Sequence, residues 1–508
     1  MNKDTEKTID ICLLLEGTYP FVRGGVSSWV HQMISGLPEF NFHLIFLGGH
    51  PDFYSNTAYD FPPNVVGFDV YFLLSDNHNG QPTPQHGRSK LFKKWGEFLS
   101  YFTTTKTSIP DYLLADITNF LGKNNKLSLS DFLYSRASWE VLTKHYLQST
   151  ENQSFVDYFW TYRGMFQPLF ILAQISRKLP QAKVFHSIST GYAGFLGALC
   201  KQKTGCPFIL SEHGIYTKER KIDLAQAGWI KDHHSLVDIS LHRDMDLNRR
   251  AWITFFEQLG LTTYHQANEI VALFEGNRQR QLIDGAPQNK TQVIVNGIDI
   301  SRFNNAYLKR PNSPPMVAGL VGRVVPIKDI KTFIRTIRNA VEQLPQLEGW
   351  IIGPKEEDPE YVHECTLLID SLGLTDNVKM LGNQNVAEIL PKLGVMMLTS
   401  ISEAQPLVLL EAMAAGVPCI ATEVGACREI IEGTPGEDNW LGSAGKIIPI
   451  ASPLEGAQAI IQILGDAQSW RITGDIGKER VTRYYNEQRM YNSYRTLYQE
   501  AINGRHRI

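Results

Sequence analysis

An α/β architecture in two doubly wound halves is what this sequence predicts, and three observations carry it. Apolar runs short enough for buried parallel strands, the first from Ile9 to Leu15, alternate with helical stripes. That first run passes through a glycine-bearing loop, Gly17 to Gly25, into a helix and then a second strand. The same alternation restarts after a polar, Pro-rich segment near residue 300. At 508 residues the chain is long enough for two or three domains.

The elements follow in order. Val26, Trp29, Val30, Met33, Ile34 and Leu37 recur at helical spacing after Gly25, and a strand is expected at 42–47. Residues 50–165 interrupt the rhythm with aromatics, Asn, Ser and Thr. They read as a partly helical insertion in the first domain that covers an acceptor site or a partner surface. The rhythm resumes with Val184-Phe-His-Ser, a helix through Leu199 and the strand Pro207-Phe-Ile-Leu-Ser211, then strands at 270–273 and 293–295. The aperiodic segment 300–315 is the expected linker between a first domain, 1–300, and a second, 301–475. Strands are expected there at 317–321, 349–352, 378–381, 395–398, 418–421 and 446–448. The chain ends, over 476–508, with a helix whose Tyr484, Tyr491, Tyr494 and Tyr498 share a face and pack against the first domain.

Hydrophobic residues make up 43% and charged residues 20%, as in ordinary globular proteins. A net charge of −3 gives nucleic acid or an anionic membrane no electrostatic reason to bind. Six cysteines without CxxC spacing point to a reducing compartment and to no structural zinc. No apolar stretch approaches the ~18 residues that span a bilayer. The run at Ile9 is broken by Asp10 and stopped by Glu16-Gly17, so it reads as a strand, not a signal peptide, and the expected location is cytoplasmic.

Four candidate sites fall where predicted strands end, the edge at which open α/β sheets bind ligands. Gly24 and Gly25 precede the first long helix, where glycines admit close backbone approach and a helix start favours phosphate, although a glycine pair in a turn is also ordinary structure. His213 follows the strand ending at Ser211 and can hydrogen-bond a substrate hydroxyl, or be a loop or core histidine; His186 is a similar candidate. Gly322-Arg323 and Lys328 place two cations at a strand-to-helix turn, suited to a diphosphate or simply solvated. Glu403 and Glu411 flank Pro406, Leu407 and Val408. Pro406 can open a helix without losing a backbone bond, and the free N–H groups behind it seat an anion. Carboxylates beside a phosphate seat suit hydroxyl groups, the chemistry of sugars; the alternative is a helix with two solvated glutamates.

With these pieces in place, the chain resembles the retaining GT-B glycosyltransferases of the GT4 family. The resemblance rests on Arg23-Gly-Gly-Val, Ser211-Glu-His-Gly, Asn296-Gly-Ile-Asp299 with Phe303, Gly322-Arg323 with Lys328-Asp329, the pair Glu403 and Glu411, and Val424-Gly-Ala-Cys-Arg-Glu429. The opening from Leu14 to Val30, with the long insertion, is similar more narrowly to the PelF group, the cytosolic glycosyltransferases of bacterial Pel exopolysaccharide systems. The resemblance implies two Rossmann-like domains facing across a cleft, and a hexosyltransferase that needs no metal or other cofactor and retains anomeric configuration. It implies Arg323 and Lys328 on the diphosphate of a UDP-sugar, Glu411 on ribose hydroxyls and Glu403 on the donor sugar. It places His213 near that sugar and Gly24-Gly25 near phosphate or acceptor. Its implied partners are a polysaccharide acceptor and a membrane-embedded Pel synthase and export complex, holding the protein at the inner membrane. Glucose, N-acetylglucosamine and N-acetylgalactosamine remain open as donor sugars. The rival readings are a non-catalytic nucleotide-sugar sensor or scaffold, and a GT-B type UDP-sugar epimerase.

Overall fold

The run that opens the sequence forms β1, Ile9–Glu16, an inner strand, third in order, of a seven-stranded parallel sheet. The structure is a computed structural model that describes residues 8–74, 85–102, 107–121, 127–149, 154–226 and 247–504. The chain divides into two compact units. One takes residues up to Ala272, Arg278–Val293 and those from Arg495 onward; the other takes Leu273–Asn277 and Ile294–Tyr494.

In the first unit, β2 (Phe42–Gly48), β3 (Val65–Phe72), β4 (Ala182–Ser187), β5 (Phe208–Glu212), β6 (Glu269–Ala272) and β7 (Thr291–Val293) join β1 in the order β3-β2-β1-β4-β5-β6-β7. Ile11 through Leu15 are fully buried, so both faces of β1 are covered, and a strand covered on both faces reads as an unbroken apolar run. Leu13 pairs with Leu44 on one side and His186 on the other, so Glu16, Ser187 and Glu212 close their strands along one edge.

One expectation for this unit changes. The insertion does not start at residue 50, because β3 lies inside that stretch and pairs with β2 along its length. Gly67 and Asp69 interrupt its apolar pattern, and both answer to one side chain on β2. His43 Nε2 meets Asp69 at 3.0 Å, and a Cβ at position 67 would come within 2.2 Å of the His43 ring. The inserted part is the helical set Ser89–Ser100, Asp111–Phe120, Leu129–Tyr134, Arg136–Ser149 and Phe155–Lys178. Its many aromatics extend the core that also holds Cys12, Leu14 and Ile45 of the sheet: Trp95 stacks on Phe98 at 5.2 Å, and its indole N–H donates to Tyr162 Oη at 2.9 Å.

The second unit holds a six-stranded parallel sheet in the order β10-β9-β8-β11-β12-β13. Its strands are β8 (Val317–Val321), β9 (Glu348–Ile352), β10 (Val378–Gly382), β11 (Val395–Leu398), β12 (Cys419–Thr422) and β13 (Gly445–Ile448). The segment expected as a linker is folded into this unit. It forms a 3-10 turn, Ile300–Phe303, and a short helix, Asn304–Leu308, with Phe303 and Ala306 in the core. Arg310 is buried over the Trp470 ring at 4.7 Å and donates to Asp475 at 3.0 Å. Two elements of four and five residues are too short to show a period, which is why the stretch reads as linker.

The tyrosine stripe also divides. Helices Ala467–Tyr484 and Glu487–Ile502 are separate, because the backbone around Asn486 bonds to Ile298 instead: Ile298 N–H donates to Tyr485 O, and Glu487 N–H to Ile298 O. Tyr484 therefore ends one helix, while Tyr491, Tyr494 and Tyr498 are buried along the next. Tyr498 belongs to the first unit, where its ring packs edge-on against Phe40 and Phe42.

Candidate functional site

In the second unit the turn after β8 is held before it does any chemistry. Gly322 N–H donates to Ile352 O, and Thr399 Oγ1 donates to the carbonyls of Lys328 and Asp329. Asp329 takes a left-handed conformation, φ 45°, which aspartate tolerates better than most residues, and its carboxylate caps the helix Ile330–Ala340 at Thr332 N–H. Lys328 is thereby aimed at Glu403, with Nζ 2.5 Å from Oε1 and side chains only 19% and 13% exposed. Arg323 has a different partner. Its guanidinium meets both oxygens of Glu357 at 2.6 and 2.7 Å, and both side chains are about half exposed.

Glu403 sits in the loop before the helix Leu407–Ala414, held by the turn that follows β12. There Gly425 has φ 52°, a Cβ on it would strike the carbonyls of Glu403 and Ala404 at 2.3 Å, and Ala426 N–H donates to Ala404 O. Pro406 is the cap of that helix, not its first residue, so Leu407 and Val408 supply the opening N–H groups. Glu411 lies one turn inside, where burial pushes its carboxyl pKa up and Arg302 opposes the shift. Gln405, which the sequence did not single out, ties the loop to the Asn296 motif by accepting from Asn296 N–H at 2.8 Å. Only its position between two candidates hinted at this. A diphosphate-sized anion at this helix start would find a lysine and free N–H groups, with carboxylates on either side for hydroxyls.

In the first unit, Gly24 caps the helix Gly25–Gly36, and a Cβ at either glycine would meet no atom within 4 Å. The open space there is real, but no steric need of the protein demands glycine. His213 is 8% exposed and packs edge-on to Trp29 at 4.2 Å, with no partner for Nε2 among the described residues. His186 is a core histidine instead, bonded to Tyr498 Oη at 2.7 Å and Ser211 Oγ at 2.9 Å. Burial pushes both histidines down to about 3, so they stay neutral. Glu212, part of the His213 motif but given no role by the sequence, is buried and pushed up to about 7 by that burial, against four donors from Thr190, Tyr216 N–H, Tyr264 and Gln281.

These shifts predict an acid-labile first unit. A buried neutral histidine binds fewer protons folded than unfolded, so its stability contribution is lost as pH falls below its unfolded value near 6.5, at about 1.4 kcal/mol per pH unit. Glu212 has the opposite sign: its contribution is present below the unfolded carboxyl value near 4.3 and lost as pH rises toward 7. Burial also holds His31 and His145 low and Glu219 high, so four histidines outweigh two carboxyls, and calorimetry from pH 6.5 to 4.5 should show the first unit's Tm falling. A flat or rising Tm would contradict the neutral histidines.

Residues 9–289 match the family described as Domain of unknown function (DUF3492), and residues 315–466 match Glycosyl transferases group 1. N-acetyl-alpha-D-glucosaminyl L-malate synthase of Bacillus anthracis is 35% identical over 149 residues, 29% of this chain and 36% of that protein. MMP alpha-(1->4)-mannosyltransferase of Mycolicibacterium hassiacum is 24% identical over 315 residues, 60% of this chain and 68% of its own. The chain thus spans about a third of the first relative's length. The crystal structure of Anabaena Alr3699/HepE in complex with UDP superposes with a TM-score of 0.59 at 14% identity, covering 97% of this chain and all of that one, which shows a shared fold. The DUF3492 match covers more than half of the 508 residues, so the chain belongs to that family, with a group 1 glycosyltransferase domain over 315–466 and the two parallel sheets of the GT-B fold.

Proposed function

We propose that the protein is a retaining, metal-independent hexosyltransferase that moves a sugar from a UDP-sugar to a growing exopolysaccharide of the Pel type. The observation that carries it is the largely buried Lys328–Glu403 pair beside the start of the helix Leu407–Ala414, with Glu411 half-buried one turn on. Lys328 and Arg323 exchange their carboxylate partners for the diphosphate and stabilise its charge as it leaves. The departing phosphate oxygen takes the acceptor proton, so no side chain serves as covalent nucleophile. Glu403, released from Lys328, accepts hydroxyls of the donor sugar, and Glu411 accepts those of ribose. Support for the nucleotide comes from the likeness to HepE, which was solved with UDP. The narrower Pel reading rests on the opening motif and the helical insertion, and its partner is a membrane-embedded synthase and export complex. Among the described residues no helix is long and apolar enough to cross a membrane.

Thermal-shift titration with UDP, UDP-glucose, UDP-N-acetylglucosamine and UDP-N-acetylgalactosamine tests the donor site, because a ligand that binds only the folded state raises Tm. At least one should raise it, and UDP release on adding acceptor should persist in EDTA. A shift with GDP-sugars alone would overturn the donor assignment. Binding without UDP release in the presence of Pel oligosaccharide would make the protein a sensor.

A further inference from the structure

Arg323 carries a partner to which the donor chemistry gives no task. Its Nη1 lies 2.6 and 2.7 Å from the two carboxylate oxygens of Glu357. The other cation of the turn differs in this respect. Glu403, once Lys328 lets it go, has hydroxyls of the donor sugar to accept, whereas Glu357 has only the arginine.

The loop that carries Glu357 follows β9 and is fixed at both ends. Gly353 N–H donates to Gly382 O, and Gly353 has φ 146°, a conformation in which a Cβ would come within 2.1 Å of Gly322 O. Val324 N–H donates to Pro354 O at 3.0 Å. Both ties land on residues that flank Arg323, so the backbones of the two partners are set together. At the far end Asp358 caps the helix Pro359–Ser371 by accepting from Tyr361 N–H at 2.9 Å. Three acids stand in a row at 356–358, and two of them serve the backbone. Glu356 accepts from Lys355 N–H at 2.9 Å, and Asp358 is the cap. Of the three, Glu357 is the one turned to the cation.

The strength of the pair suits a contact that is made and broken. Both side chains are about half exposed, and an ion pair so placed holds off a competing anion by a factor of about two to five. A diphosphate carries more charge than one carboxylate and also meets Lys328, so it can displace Glu357. The same factor is large enough to loosen the hold on the product.

We propose that Glu357 is the internal counter-ion that the donor's diphosphate displaces from Arg323, and that it returns to the arginine when UDP leaves. UDP is then held less tightly than Arg323 and Lys328 alone would hold it. The inference rests on the glycosyltransferase reading above and adds a residue that acts through Arg323. Its test is calorimetric titration of the full chain with UDP. Glu357→Gln should bind UDP about two- to fivefold more tightly than wild type, at nearly unchanged Tm, and UDP should inhibit transfer more strongly by the same factor. A residue that merely supported the loop would not raise affinity when replaced. An unchanged Kd would show that the pair does not compete with the diphosphate, and a higher one that Glu357 holds Arg323 in place for it; either result overturns the inference. In the Arg323→Ala background, Glu357→Gln should bring no tightening. Equal tightening with and without the arginine would mean that Glu357 acts by its charge alone, which also overturns it. Failure of wild type to bind UDP would instead overturn the glycosyltransferase reading, and the counter-ion role with it.

Discussion

Replacing Arg323 and Lys328 together by alanine should lower sugar transfer by about 10³-fold or more, roughly 4 kcal/mol of transition-state stabilisation. The two cations are not equivalent, and the single variants should show it. Arg323 pairs with Glu357 where both are half exposed, so that contact is worth at most about 1 kcal/mol and Arg323→Ala should leave Tm nearly unchanged. Its loss should fall on turnover. Lys328→Ala, by contrast, strands Glu403, whose side chain is 13% exposed, and an unpaired carboxylate at that depth costs about 1–3 kcal/mol. Adding Glu403→Gln should return much of the lost Tm without returning activity, which separates folding from chemistry. UDP release measured at saturating donor decides the matter: near-normal turnover in the double alanine variant would remove both residues from the mechanism.

How much of this was legible in the sequence depends on what each feature needs in order to leave a trace. Strands buried on both faces leave one, because every position there is apolar; Ile11 to Leu15 of β1 and Val395–Leu398 are of that kind. Val65–Phe72 was hidden because it lies at the edge of its sheet, partly exposed along its whole length, with Gly67 and Asp69 serving His43 on the neighbouring strand. The placing of Glu403 before the helix and Glu411 inside it was readable, since both belong to one short stretch and helical geometry relates them. The Lys328–Glu403 ion pair was not, because 75 positions separate its members and only the adjacency of β8 and β11 brings their loops together. Glu16 left the most misleading trace. A carboxylate at the end of an apolar run reads as the place where a strand stops, yet it holds the start of the helix Tyr192–Thr204.

The largest effect on stability is expected far from any of these loops, at Arg480. Its side chain is wholly buried and makes bonds in several directions: Nε to Asp438 Oδ2 at 2.7 Å, Nη1 to Ile431 O at 2.7 Å and Nη2 to Gly442 O at 2.6 Å. Desolvating two charges offsets most of what such a pair gains, so its presence alone says little about net stability. Removing one member is another matter. Arg480→Met would leave the Asp438 carboxylate, 4% exposed, without a counter-charge, and would take one donor each from Gly442 O and from Ile431 O, which keeps Ala444 N–H at 2.8 Å. The second unit should lose about 3–5 kcal/mol, read as a lower urea midpoint at nearly unchanged slope. Arg480→Lys keeps the charge but not the planar fork that serves three acceptors, and should fall between. Arg480→Met with Asp438→Asn removes the stranded charge and should recover part of the loss; no recovery would mean that the two carbonyls, not the carboxylate, dominate. A loss below about 1 kcal/mol in the single Met variant would show that water or repacking replaces the arginine. The consequence reaches the donor loop through the helix Cys427–Glu432. Arg480 grips that helix at Ile431 O, and the turn leading into it carries Gly425 and Ala426 under Glu403. Arg480→Met protein that remains folded should therefore also bind UDP more weakly, without any change to a residue placed on the nucleotide.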